Sequence, residues 1–219
     1  SAPVDVPAGH YSTPTTAESV SFRTGLAPCP AGAYSPAGGV CSLCSAGYYC
    51  EPGSDSATQT ACGSIEKYCP EGSSAPLDVP AGQFSTPITV AVSLRTGTQP
   101  CPAGEYSASG GTCSPCADGS WSSEGSSTCS TCSAGTYSTS GWSSCTACAA
   151  GRYGSGGSTS DQCEGPCAPG FYCPSGTGNA TANPCPPGSY SEAGESSPQC
   201  QPCAAGRYGS ESNVNTDGN

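Results

Sequence analysis

Cysteine is the residue with the most chemistry to offer in this chain, and its spacing is compatible with three kinds. The chain holds 19 cysteines in 219 residues, many of them in Cys-x-x-Cys pairs. Such pairs can ligate zinc, cycle between dithiol and disulfide, or act as structural staples. Cys113, Cys116, Cys129 and Cys132 form a C-x2-C-x12-C-x2-C pattern that suits a zinc ribbon. The same spacing continues through Cys145 and Cys148, so no set of four is singled out, and no histidine ligand accompanies it. The cysteines therefore read as disulfides, with no metal and no cofactor expected.

The remaining polar residues give no catalytic constellation. The only histidine, His10, stands where a later copy of the same stretch has Gln83. A nucleophile needs a base held by a fixed third group, and the sequence supplies none, so no enzyme is expected. Asp5 and Asp78 recur at matched positions, but isolated carboxylates do not make the six-to-eight-oxygen site that calcium prefers. The arginines are matched as well, Arg23 with Arg95 and Arg152 with Arg207. They are expected to pack over a neighbouring tyrosine as cation–π contacts, or to pair with an acidic group across a subunit contact. Asn179-Ala180-Thr181 is an N-glycosylation sequon, whereas Asn183 precedes proline and is not one. The many Ser, Thr and Pro residues leave room for O-glycans as well.

Composition says what must hold these residues in place. Hydrophobic residues make up 34% of the chain with the cysteines counted in, and there are only Phe 3 and Trp 2 beside Gly 31 and Pro 22. A chain that buries so little apolar surface needs covalent staples, which form and persist where thiols are oxidised. An extracellular or cell-surface location is expected. The net charge of −11 speaks against nucleic acid and anionic membranes as partners. No apolar run is long enough to cross a membrane, so no membrane insertion is expected of this segment. The chain opens out of phase at "SAPVDVPAG", ends within "CAAGRYGSESNVNTDGN", and reads as a mature fragment or an interior section.

The staples fall on a repeat. Its core is Cys-x-x-Gly-x-aromatic-Ser, then a polar stretch, then Cys-x-x-Cys, with a unit of about 15–19 residues. Copies begin at Cys29, Cys101, Cys116, Cys132, Cys148, Cys185 and Cys203. Glycine turns the chain just after the cysteine, and short extended segments joined by turns come next. A longer period overlies this one: "SAPVDVPAGHYSTP" at 1–14 returns as "SAPLDVPAGQFSTP" at 74–87. In these two stretches Val6 and Val79 replace the opening cysteine, so both modules are expected to pack by apolar contact alone. The expected blocks are 1–28, cysteine-poor; 29–73, cysteine-rich; 74–100, cysteine-poor; 101–166, tandem cysteine-rich modules; and 167–219, further modules with the last incomplete.

Pairing in chain order would join Cys29 to Cys41, Cys44 to Cys50, Cys62 to Cys69, Cys101 to Cys113 and Cys116 to Cys129. It would then join Cys132 to Cys145, Cys148 to Cys163, Cys167 to Cys173 and Cys185 to Cys200, leaving Cys203 for a partner beyond Asn219. Between Cys44 and Cys69 a crossed pairing, Cys44 with Cys62 and Cys50 with Cys69, fits nearly as well. Each module is expected to touch its neighbours and nothing more distant.

The "CPAGxYS" motif, the glycine-containing spacer and the "CxxC" that leads to the next copy resemble ephrin-receptor-like cysteine-rich repeats. These are similar in style to tumour-necrosis-factor-receptor modules. "YCPEGSSAPLDVPAGQFST" at 68–86 resembles versions found in protist and algal surface proteins, including the mastigoneme proteins of flagellar hairs. The resemblance implies tandem modules in an extracellular setting. The expected fold class is small and disulfide-rich, with irregular or short β structure and little or no helix, drawn out as a rod of modules. The expected function is a segment of a glycosylated filament or surface fibril that self-assembles. Tyr11 and Phe84, in the two valine-substituted segments, are the expected assembly anchors. The alternative is a spacer or ligand-binding ectodomain of a surface receptor or antigen.

Overall fold

The computed structural model describes residues 5–13 and 25–205. Arg23, Arg207 and the Gly206–Tyr208 part of the last repeat lie outside them. The described chain is a series of short antiparallel strand pairs without an α-helix, and its one helical turn is the 3₁₀ turn Val92–Leu94. By contacts it divides into two compact units. One runs to Pro100 and takes in Ser107–Cys113; the other holds Cys101–Tyr106 and the chain from Ser114 onward.

Each repeat folds into one small hairpin. In the module opened by Cys132, the strand Thr136–Tyr137 pairs with Thr146–Ala147, in the register Thr136↔Ala147 and Tyr137↔Thr146. Thr146 and Ala147 are the two residues inside Cys145-x-x-Cys148. The same holds for Ser42–Leu43 between Cys41 and Cys44, and for Ser130–Thr131 between Cys129 and Cys132. The Cys-x-x-Cys spacing is thus a strand requirement. One cysteine closes a module, two residues pair with the segment ending in the aromatic, and the next cysteine opens the following module. The valine-substituted stretches make longer pairs without a bridge, His10–Thr13 with Gly25–Pro28 and Gln83–Thr86 with Gly97–Pro100.

The bridges run in chain order. They join Cys29–Cys41, Cys44–Cys50, Cys62–Cys69, Cys116–Cys129, Cys132–Cys145, Cys148–Cys163, Cys167–Cys173 and Cys185–Cys200. Cys101 and Cys113 are disulfide-bonded too, and Cys203 carries a free thiol. Cα–Cα separations of 5.7–6.2 Å lie within the range a disulfide spans. The stretch between Cys44 and Cys69 takes the uncrossed pairing.

A repeating set of backbone hydrogen bonds joins each module to the next within a unit. The motif glycine donates to the residue after the next module's aromatic: Gly32 N–H to Cys50 O at 2.8 Å, Gly119 N–H to Ser138 O at 2.9 Å, Gly151 N–H to Cys173 O at 2.7 Å. The next opening cysteine donates back to that glycine, as Cys44 does to Gly32 O at 3.0 Å and Cys132 to Gly119 O at 2.9 Å. A third bond runs from a later glycine to the earlier opening cysteine, as from Gly141 N–H to Cys116 O at 3.0 Å. Backbone groups that little apolar core could shelter are satisfied in this way, module against module.

Contacts also reach beyond the nearest neighbour, which corrects the expectation of neighbour-only packing. The motif glycine lies directly under the backbone two modules on: Gly32 under Gly72, Gly104 under Gly141, Gly135 under Gly176. A Cβ on any of the three would overlap the carbonyl oxygen above it. A second column runs alongside. The residue just before an opening cysteine packs on the loop glycine two modules on, so that a Cβ at Gly72 would stand 3.1 Å from Leu43 Cδ2 and one at Gly194 3.5 Å from Pro166 Cβ.

The core that results is cystine. Among the described residues, the buried hydrophobic positions are cysteines together with Ala33 and Val79. The Val79 module is not held by apolar contact alone, as the sequence had suggested. Val79 N–H donates to Glu66 O at 2.9 Å and Gly82 N–H to Ser107 O at 2.7 Å. Arg95, 6% exposed, ties its loop by donating to the carbonyls of Ser85 and Pro87. Its guanidinium thus satisfies main-chain acceptors, where a tyrosine face had been expected.

Serine at the position after the aromatic is buried for a specific reason. Ser138 Oγ–H donates to Ser120 O at 3.0 Å, Ser122 Oγ–H to Glu105 O at 2.8 Å, and Ser191 Oγ–H to Phe171 O at 2.9 Å. Each acceptor lies in the preceding module. Replacing Ser138 with alanine is expected to lower stability by about 1 kcal/mol, the usual net worth of such a bond. Alanine at exposed Ser144 should stay within about 0.5 kcal/mol of the parent. Urea midpoints of the two variants check this.

Candidate functional site

The fold places the chemistry-bearing residues in separate settings. The four cysteines with zinc-ribbon spacing are all in disulfides, which leaves no thiolate to bind a metal. Among the described residues no group of three or more His, Cys, Asp or Glu is placed to hold one. Cysteines on either side of a two-residue extended strand sit about 10 Å apart at 3.3 Å per residue. That exceeds the reach of a disulfide, so Cys200 and Cys203 cannot close on each other while Gln201–Pro202 pairs with Ser189–Tyr190.

His10 lies half-buried in its strand with Nδ1 3.0 Å from Ala8 O, so the Nδ1 proton is donated to the main chain. Asp5 is exposed. Asp78 pairs with Lys67 across the Lys67–Tyr68 and Leu77–Asp78 strands, an exposed ion pair of small energetic weight. Arg152 Nε–H donates to Gln162 O at 2.6 Å within its own loop. In the same loop, the Ser155 hydroxyl and N–H both donate to Glu164 and hold its carboxyl below the ordinary value. The stabilisation this carries is present above the unfolded-state value and is lost as pH falls through the lowered one.

Two sets of exposed residues stand out. The first is apolar. Leu26, Val40, Leu43, Leu77, Ile88, Val90 and Val92 are exposed, with Val40 at 80% and Ile88 at 70%. The run from Ile88 to Val92 forms an exposed turn beside the strand that holds Phe84. Tyr11 and Phe84 are half-buried, and each pairs in parallel with a glycine of the next module, Gly39 and Gly111. Each residue is therefore joined to the next module through its backbone and left partly exposed. The repeat aromatics are likewise half-buried, and Tyr137 leans on Trp142 with centroids 5.6 Å apart.

The second set is the turn at Asn179. Asn179 is exposed, and its Oδ1 accepts the Thr181 N–H at 3.0 Å and the Thr181 hydroxyl at 3.2 Å. Asn183 differs: its Nδ2 donates to Tyr172 O at 3.1 Å and stabilises the fold. Native material is expected to carry glycan at Asn179 and none at Asn183. Glycopeptide mass spectrometry showing Asn179 wholly unmodified would overturn this.

Sequence reasoning missed the buried serines and Arg95 as structural residues. The chain-order bridges that end at Cys50, Cys69 and Cys173 are as expected, and the structure adds that these closing cysteines stand in the serine position after the aromatic. The signal was present as Tyr-Cys in place of Tyr-Ser. Among the described residues no helix is long and apolar enough to cross a membrane. No protein-family model matches the chain, and comparison with curated proteins finds no match.

Proposed function

We propose that the chain is a non-catalytic structural segment of an extracellular, glycosylated filament or surface fibril, whose copies associate through the apolar surface of the valine-substituted modules. The observation that carries this is the placement of the aliphatic residues. A chain with almost no apolar core leaves Leu26, Leu77, Ile88, Val90 and Val92 of these modules outside. Ile88, Val90 and Val92 share one exposed turn, and exposed apolar patches usually mark interaction surfaces. The two copies of the long repeat support the reading further. The first has "TPTTAESVSF" where the second has "TPITVAVSL", so the module does not itself require an apolar loop. The staples, the repeat and the resemblance to mastigoneme-type modules all fit an extracellular fibril.

Sedimentation of native material over a range of concentrations tests the proposal, and assembly beyond the monomer is expected. Replacing Tyr11 and Phe84 with serine should weaken assembly while non-reducing peptide maps stay unchanged. Because Tyr11 and Phe84 are also half-buried, a second variant, Ile88→Thr with Val90→Thr, changes only exposed positions and should weaken assembly alike. A protein that stays monomeric at all concentrations would instead fit a spacer ectodomain.

A further inference from the structure

The disulfides fall into two structural grades. Cys44–Cys50, Cys62–Cys69 and Cys167–Cys173 close loops with separations of 6 or 7 residues, and every cysteine in them is at most 2% exposed. The bridges with separations of 12 to 15 residues are asymmetric. Their opening cysteines Cys29, Cys116, Cys132, Cys148 and Cys185 are at most 2% exposed. Their closing cysteines Cys41, Cys129, Cys145, Cys163 and Cys200 are partly exposed. Two of these closers carry a second mark. Cys163 and Cys200 have φ of 48° and 50°, a left-handed conformation that costs a non-glycine residue about 1–2 kcal/mol.

We propose that the closing cysteines, Cys163 and Cys200 foremost, are the sites at which small thiols enter this protein by thiol–disulfide exchange, and that the three short bridges are thiol-resistant anchors. Exchange needs in-line access of a thiolate to one sulfur of the pair. An incoming thiolate attacks Cys163 Sγ, forming a mixed disulfide there. The Cys163–Cys148 bond breaks, and its electron pair leaves on Cys148 Sγ, which takes up a proton. A second small thiol attacks the mixed disulfide, releases Cys163 as thiolate and departs as the oxidised small disulfide. Both thiols come from solution. Attack at Cys148 is blocked because that sulfur is fully covered. Opening the Cys163 or Cys200 bridge also frees its closing residue from the left-handed turn, which places these two ahead of Cys41, Cys129 and Cys145.

The short bridges offer no such entry, since both of their sulfurs are covered by the module stack. Their placement divides the chain. From Cys116 to Cys163 every module is closed by a bridge of the accessible grade, and the anchor Cys167–Cys173 comes immediately after. A thiol-containing environment would therefore loosen this stretch while the anchors hold.

The experiment uses the intact, folded chain with graded reduced glutathione, acid quenching, alkylation and peptide mapping against time. Opening at Cys163 and Cys200 should be at least tenfold faster than at any short bridge. The trapped mixed disulfide should sit on the closing cysteine of each long bridge. Short bridges opening as fast as long ones, glutathione trapped mainly on Cys148 or Cys185, or all bridges opening together would each overturn the proposal.

Discussion

Alanine at Gly135 should destabilise the protein by about 2–5 kcal/mol, more than most substitutions in a chain this poor in core. Two terms add. Gly135 has φ of 82°, where an L side chain costs about 1–2 kcal/mol. Its missing Cβ is also where the Gly176 carbonyl oxygen lies, so a methyl group forces one module away from another. Overpacking of this kind typically costs about 1–3 kcal/mol. The control is the other partner in the same approach. Gly176 has φ of 81°, and a Cβ there would meet Ala147 Cβ at an ordinary 3.8 Å. Gly176→Ala should therefore show the backbone term alone, about 1–2 kcal/mol. Urea unfolding of both variants measures the difference. Equal losses would mean that packing two modules on carries no weight.

That approach could not be read from the chain, and the reason is geometric. The glycine that covers Gly135 belongs to a loop whose length varies between repeats, as the distances from Gly104 to Gly141 and from Gly32 to Gly72 also show. No fixed offset in the sequence signals it. The cysteines were more legible because the two-residue strand fixes their spacing wherever a module closes at Cys-x-x-Cys. Ser138 and Ser191 escaped notice because serine after an aromatic looks like solvated loop in a chain rich in serine. Only the carbonyl of the preceding module shows why it is buried. Arg95 misled for a related reason. Its repeat partner and nearby aromatics suggested a ring contact, but a loop closing on itself leaves the carbonyls of Ser85 and Pro87 turned inward, and a guanidinium can satisfy both. Ile88, Val90 and Val92 stand in the sequence as an apolar run just after the second long repeat. Their exposure was not legible there, because an apolar run in a small module reads equally well as its core.

Complete reduction and alkylation should abolish ordered structure, in contrast to the graded opening expected from small thiols. The magnitudes decide this. Closing loops of 6 to 15 residues is worth about 2–3 kcal/mol per bridge in the chain-entropy model. Over nine bonded pairs that is on the order of 20 kcal/mol, more than the roughly 5–15 kcal/mol by which folded domains are stable. No apolar core remains to compensate, since Ala33 and Val79 are the buried hydrophobic residues other than cysteine among those described. The inter-module hydrogen bonds cannot stand in for the bridges either. They join groups that water satisfies equally well once the loops open, which leaves each bond a net worth of about 1 kcal/mol against the ordering it requires. The Val79 module has four-residue strands and no bridge of its own, so it should be the last to lose structure. It goes with the rest in the end, because Val79 and Gly82 are bonded to Glu66 and Ser107 in modules that have come apart. Near-ultraviolet circular dichroism should vanish, and the radius of gyration in solution scattering should move toward the roughly 50 Å of an unfolded chain of this length. A reduced, alkylated protein that kept its near-ultraviolet spectrum would mean that the hydrogen-bonded stack alone specifies the fold.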